Sequence, residues 1–176
     1  LAEAVLALFP GAKLAIGPAT ENGFYYDFDV ERPFTAEDLA AITEKMREII
    51  KANKPLERKE ISKAEALALF KDQPYKTELI NDLPEGEIIT LYTQGDFTDL
   101  CAGPHAESTG AVRAFALLQS AGAYWRGSEK NPMLQRIYGT AFPDKKLLQE
   151  RLKELAEANK RLPHKLDRAL ELFTTS

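Results

Sequence analysis

Residues 99–110, DLCAGPHAESTG, hold the only cysteine of the chain and one of its two histidines. Cys101 and His105 stand four apart, behind Asp99 and around Gly103-Pro104. Four chemistries use such residues: half of a metal site, a thiolate beside its imidazole base, a pocket that binds by hydrogen bonds, or a polar turn. Structural zinc sites take four Cys or His ligands and catalytic ones three protein ligands plus water. The chain offers only Cys101, His105 and a distant His164, so a metal would also need carboxylates. A Cys-His hydrolase needs a third group to orient the base, and the spacing neither supports nor excludes one. A small Cys beside Ala-Gly-Pro also reads as a buried hydrophobe. What favours a pocket is concentration in one loop, where glycine admits a ligand close to the backbone and proline fixes the chain. Lys76 and several tyrosines lie on elements that could fold against it.

The elements that must position these groups are legible from caps, breakers and periodicity. LAEAVLALF reads as a helix with Leu1, Val5 and Leu8 on one face, ended by Pro10-Gly11. It lacks an N-cap, which suggests a piece of a longer protein. KLAIGPATENGFYYDFDV reads as two strands around a turn, with Phe24, Tyr26 and Phe28 alternating with Tyr25, Asp27 and Asp29. Thr35 caps a helix with Asp38 three residues on, and Leu39, Ile42, Met46, Ile49 and Ile50 form its buried stripe. After an extended LERKEI, Ser62 and Glu65 make a capping box, Pro74 starts a short turn of YKTELI, and a strand EIITLY follows Gly86. AFALLQSAGAYW and LQRIYGTAF look like adjacent strands of a sheet around the Cys-His loop. From Asp144 a long helix carries Leu148, Leu152, Leu155, Leu162, Leu166, Ala169 and Phe173 at spacings of three and four, kinked or split by Pro163. The fold class expected is α+β: a sheet packed against helices, with a long C-terminal linker helix.

At 176 residues, 44% hydrophobic and 28% charged, the chain can bury a core as one globular domain. No apolar run reaches the ~20 residues of a membrane span. A lone cysteine makes no internal disulfide, and the expected compartment is the cytoplasm. The net charge of −4 argues against a stand-alone polyanion binder, because phosphate contacts depend on Lys and Arg. The basic stretches EKMREIIKANKPLERK and KRLPHKLDR also carry acids or apolar positions at helical spacing and read as solvated helix faces.

Four ordered blocks, LAIGPATENGFYYDFDV, LYTQGDFTDLCAGPH, AGAYWRG and MLQRIYGTAF, resemble the editing domain of bacterial threonyl-tRNA synthetase. The likeness covers nearly the whole chain, with LDRALELFTTS resembling the linker helix that leads to an aminoacylation core not present here. It implies an editing domain over 1–143 with its pocket region at about 91–142, and a helical linker over 144–176. The implied activity is hydrolysis of seryl-tRNA formed in error on the threonine tRNA. Serine lacks one methyl of threonine, a difference worth only ~1–3 kcal/mol of discrimination, so a second hydrolytic sieve is needed.

The resemblance carries Lys76, Asp99, Cys101 and His105 onto polar positions of the editing pocket and sets Tyr26 and Tyr124 in its matching blocks. His105 and Lys76 would hold and polarise the attacking water, Asp99 would recognise the serine ammonium or hydroxyl, and Cys101 would bound the pocket. The family's His-x-x-x-His pair on the first helix departs here: its second position falls on Glu3 and its first lies two residues before Leu1. Glu3 is therefore expected in the pocket as the nearest replacement, metal is expected to be absent, and the fragment's full activity is in doubt. ATP and zinc would belong to the missing core; no cofactor is expected in this domain. Expected partners are the 3′ end of threonine tRNA carrying serine and the synthetase core, and no membrane. The alternatives are a zinc-dependent deacylase of the alanyl trans-editing type, and a non-catalytic tRNA-docking module.

Overall fold

A computed structural model describes residues 1–20, 23–100, 108–112 and 114–161. Among them two antiparallel sheets pack with five α-helices, the α+β class expected. Cys101, His105, His164 and the end of the expected linker helix lie outside the described residues.

The first sheet orders its strands β1 (Lys13–Leu14), β3 (Gly23–Asp29), β8 (Met133–Phe142) and β7 (Ala114–Tyr124), with β2 (Ala19–Thr20) pairing β3. The single strand expected before the FYYDFDV run is thus split in two around Gly17-Pro18. Alternation along β3 then decides which side chains enter the core. Tyr26 and Phe28 join Val5, Leu39, Ile42, Met46 and Ile137 in the main apolar cluster. On the opposite face Asp27 and Arg136, register partners across β3 and β8, form a two-pronged ion pair with N–O distances of 2.7 and 3.0 Å.

Two helices cover the core face. In α2 (Ala36–Ala52) the Thr35–Asp38 pair closes a full capping box, and Asn53 ends the helix in a left-handed conformation with φ 49°. Leu39, Ile42 and Met46 are buried as expected, while Ile49 packs at the cluster's edge. In α1 (Ala2–Leu8) the buried side is Ala2, Ala4 and Val5, and Leu8 is exposed. Of the expected Leu1-Val5-Leu8 stripe, Val5 is buried and Leu1 packs against the main cluster, whereas Leu8 is corrected to an exposed position near the helix end, with Ala2 and Ala4 completing the buried side.

The strands of 91–142 do not share one sheet. β5 (Ile89–Gln94) and β6 (Phe97–Leu100) form a second sheet with β4 (Glu57–Ile61), in the order β4-β5-β6. One face of it buries Ile61, Ile89 and Leu91 with Ala66 of α3 (Lys63–Leu69) and Ile80. YKTELI is a complete helix, α4 (Pro74–Asn81), with proline in its first turn. Its Tyr75 and Leu79 enter a third cluster with Ala15, Trp125 and Leu134, whereas Ile80 enters the second. This wedged position between two clusters is why so short a helix is stable, since isolated helices of this length are marginal in water. Finally α5 (Lys145–Arg161) packs against β7 and β8. No helix among the described residues is long and apolar enough to cross a membrane.

Candidate functional site

Lys76 is delivered by α4 from the seam between those two clusters, and only 3% of it is exposed. A buried ammonium needs partners, because an uncompensated charge away from water is costly. Lys76 Nζ donates to Asp99 Oδ1 at 2.8 Å and to the Tyr26 hydroxyl at 2.9 Å. That hydroxyl in turn donates to Asp99 Oδ2 at 2.5 Å. The three side chains close a triangle, with the lysine also 5.3 Å from the centre of the tyrosine ring. Asp99 Oδ1 accepts a further hydrogen bond from the backbone N–H of Leu100 at 2.8 Å. Such linked, charge-assisted bonds reinforce one another where water is scarce.

Each corner comes from a different element. Tyr26 lies on β3 of the first sheet, Asp99 on β6 of the second, and Lys76 on the helix between their clusters. Gly17 is required beside them, because a Cβ there would overlap the Tyr26 ring. The Ile-Gly-Pro run could have signalled a close approach of backbone to ring, but not to which ring.

The Cys-His loop is framed by well-anchored ends. Cys101 follows β6 directly in sequence, one residue after Leu100. At the other end Ser108 bridges Pro55, Thr109 N–H donates to Lys54 O at 2.8 Å, and the Thr109 hydroxyl donates to Ile49 O at 2.8 Å. The described residues on either side of 101–107 are thus the end of β6 and a segment held at the C-terminal end of α2.

Glu3 sits on the same side of the second sheet as Asp99. It accepts from Gln94 Nε2 at 3.2 Å and lies 3.8 Å from Lys54 Nζ, and Gln94 shares a face of β5 with Tyr92, the register partner of Asp99. Tyr124 is not brought to this group. It ends β7 opposite Met133, four residues beyond Ser120, whose β8 partner Ile137 pairs with Tyr26, and it is 40% exposed. Its neighbour Trp125 is the buried member of that block, packed edge-on against Tyr75 with ring centres 5.1 Å apart. Among the described residues no three His, Cys, Asp or Glu side chains gather to hold a metal.

With this geometry in view, comparison with known proteins is specific. Residues 89–138, which include Asp99, Cys101 and His105, match the family described as the threonyl and alanyl tRNA synthetase second additional domain. Over 175 residues the chain is 60% identical to a threonine–tRNA ligase of Acetivibrio thermocellus, covering 98% of this chain and 28% of that protein. The chain resembles the editing region of threonyl-tRNA synthetases. Further threonine–tRNA ligases agree: that of Clostridium perfringens is 58% identical and that of Caldanaerobacter subterraneus 59%, each over 99% of this chain and 27% of the relative. The chain thus spans little more than a quarter of the length of these synthetases.

Proposed function

We propose that this domain hydrolyses the ester bond of seryl-tRNA made in error on the threonine tRNA, as the editing part of a threonyl-tRNA synthetase. The observation that carries the reading is the Lys76–Tyr26–Asp99 triangle one residue from the start of the Cys-His loop. Ester hydrolysis needs water held against the carbonyl carbon, a donor for the developing oxyanion and a proton for the departing ribose oxygen. An ammonium has three donors; two of those of Lys76 go to Asp99 and Tyr26, leaving a third for the ester oxygen or the water. Asp99 fixes Lys76 and retains an acceptor site for the serine ammonium or hydroxyl. His105, in the adjoining loop, takes the water's proton, with Cys101 and Glu3 bounding the pocket. The carbonyl–ribose oxygen bond breaks, His105 returns the proton to the departing ribose oxygen, and serine and free tRNA leave. An ester is already activated, so positioning suffices without a metal or covalent intermediate. This reading does not use Tyr124.

The domains follow from the same reading: editing over 1–143 and a linker over 144–176. The test is incubation with seryl- and threonyl-tRNA and measurement of released amino acid, with and without a chelator. Serine should be released, threonine retained, and chelation should change nothing. Activity lost on chelation would favour the zinc-dependent alanyl type, which the shared family description makes the pertinent alternative. No hydrolysis of either ester would favour a docking module.

A further inference from the structure

The turn that follows β7 carries a strained backbone. Arg126 has φ 55° and ψ 25°, a left-handed conformation costly for a side chain with a Cβ, and Gly127 continues it at φ 71°. Strain of this kind persists only where surrounding contacts impose it. Here the contacts run to the outer face of α4 and to its C-cap Asp82. Trp125 Nε1–H donates to Glu78 at 2.7 Å, and Arg126 lies 3.8 Å from the same carboxylate while pairing with Asp82. The Arg126 guanidinium covers the Trp125 ring at 5.4 Å, and that ring packs against Tyr75. The turn is itself pinned, since Trp125 exchanges backbone and side-chain hydrogen bonds with Pro132 and Asn131.

The opposite end of α4 is fastened to the first sheet. Gln73 accepts from the Leu14 N–H at 2.8 Å, and the Tyr75 hydroxyl donates to Asp29 at 2.6 Å. Lys76 stands between these fastenings. An eight-residue helix held at both ends by side chains can shift little along or about its axis. Lys76 Nζ meets Asp99 only if that setting is right.

We propose that Trp125 and Arg126 are positioning residues that hold α4 so that Lys76 reaches Tyr26 and Asp99. The inference rests on the role given to Lys76 under the proposed function. Displacements of about 1 Å at a reacting group can cost as much as ~100-fold in rate, so loss of the clamp should be felt although neither residue reaches the triangle.

The test uses this chain with Trp125→Phe, which keeps a ring against Tyr75 but deletes the donor to Glu78, and Arg126→Gly, which relieves the strain and deletes the ion pairs. Each should lower seryl-tRNA hydrolysis roughly ten-fold or more with the melting temperature little changed. In a Lys76→Gln background neither should lower it further, because residues acting through one group are not additive. Nitrogen-15 NMR of the Lys76 ammonium supplies a readout independent of activity: its proton exchange should quicken severalfold in both clamp variants. A full additive loss in the Lys76→Gln background, or unchanged ammonium exchange, overturns the inference alone. Unchanged hydrolysis in Lys76→Gln itself overturns the proposed role of Lys76 and the inference with it.

Discussion

Lys76 and Asp99 form an ion pair whose two ends differ in access: 4% of the lysine side chain is exposed against 17% of the aspartate. The aspartate is therefore the more accessible end of the pair. Under the proposed function, a substrate reaching the pair from that end would meet the carboxylate before the ammonium. This order suits a ligand that carries its own ammonium at the front and an ester oxygen deeper in.

Lys76→Met should lower seryl-tRNA hydrolysis by ~100- to 10,000-fold, the range for groups that hold water or a proton in such steps. Tyr26→Phe should be milder, about ten- to a hundred-fold, since it removes the hydroxyl's two hydrogen bonds, from Lys76 and to Asp99, while the direct Lys76–Asp99 contact persists. Single-turnover deacylation of both variants checks the ranking. A larger loss in Tyr26→Phe would make the phenol, and not the lysine, the central group.

His105→Ala should reduce hydrolysis by ~100-fold or more with the folding temperature preserved. Cys101→Ser should cost much less. Equal collapse in both variants, measured as released serine, would point instead to a thiolate nucleophile.

Asp38→Asn tests the cap of α2 and its pH dependence. The hydrogen bond from Arg32, with help from Thr35 and against the effect of burial, lowers the Asp38 carboxyl from 3.8 to about 2. Its stabilisation is therefore complete above pH ~4 and is lost as pH falls through about 2. Urea unfolding at pH 7 should show the variant weaker by ~0.3–1 kcal/mol, because the amide keeps an acceptor for the Thr35 N–H but loses the negative charge at the helix N-terminus and its pairing with Arg32. The two proteins should converge as the pH approaches 2.

Arg136→Met should destabilise the fold by up to ~3 kcal/mol, because it strands the buried Asp27. Arg136 retains 24% side-chain exposure, which holds the cost to the lower end of the range for broken buried pairs. It also covers the Tyr25 ring at 4.0 Å, and methionine replaces part of that packing. Urea midpoints for the single variant and for Asp27→Asn with Arg136→Met should differ, with the double variant recovering part of the loss.

Local order was legible in the sequence wherever the deciding contacts lie within a few residues. The Thr35–Asp38 and Ser62–Glu65 boxes, the Leu39-Ile42-Met46 stripe and the alternation of β3 all stand where caps and periodicity place them. Resemblance across ordered blocks added Lys76, Asp99 and Tyr26 as members of one pocket. What only tertiary structure decided was how they meet. Alternation marks a strand but does not choose its partner, so nothing local separated β5 and β6 from the sheet of β7 and β8. Nor did YKTELI reveal that its helix would lie between two apolar clusters, and its low intrinsic stability was no guide. Those pairings place Tyr26 and Asp99 on different sheets and bring Lys76 between them, with Trp125 fastening its helix. Each contact joins residues distant in sequence, so it exists only after the sheets and helices bury their apolar faces together.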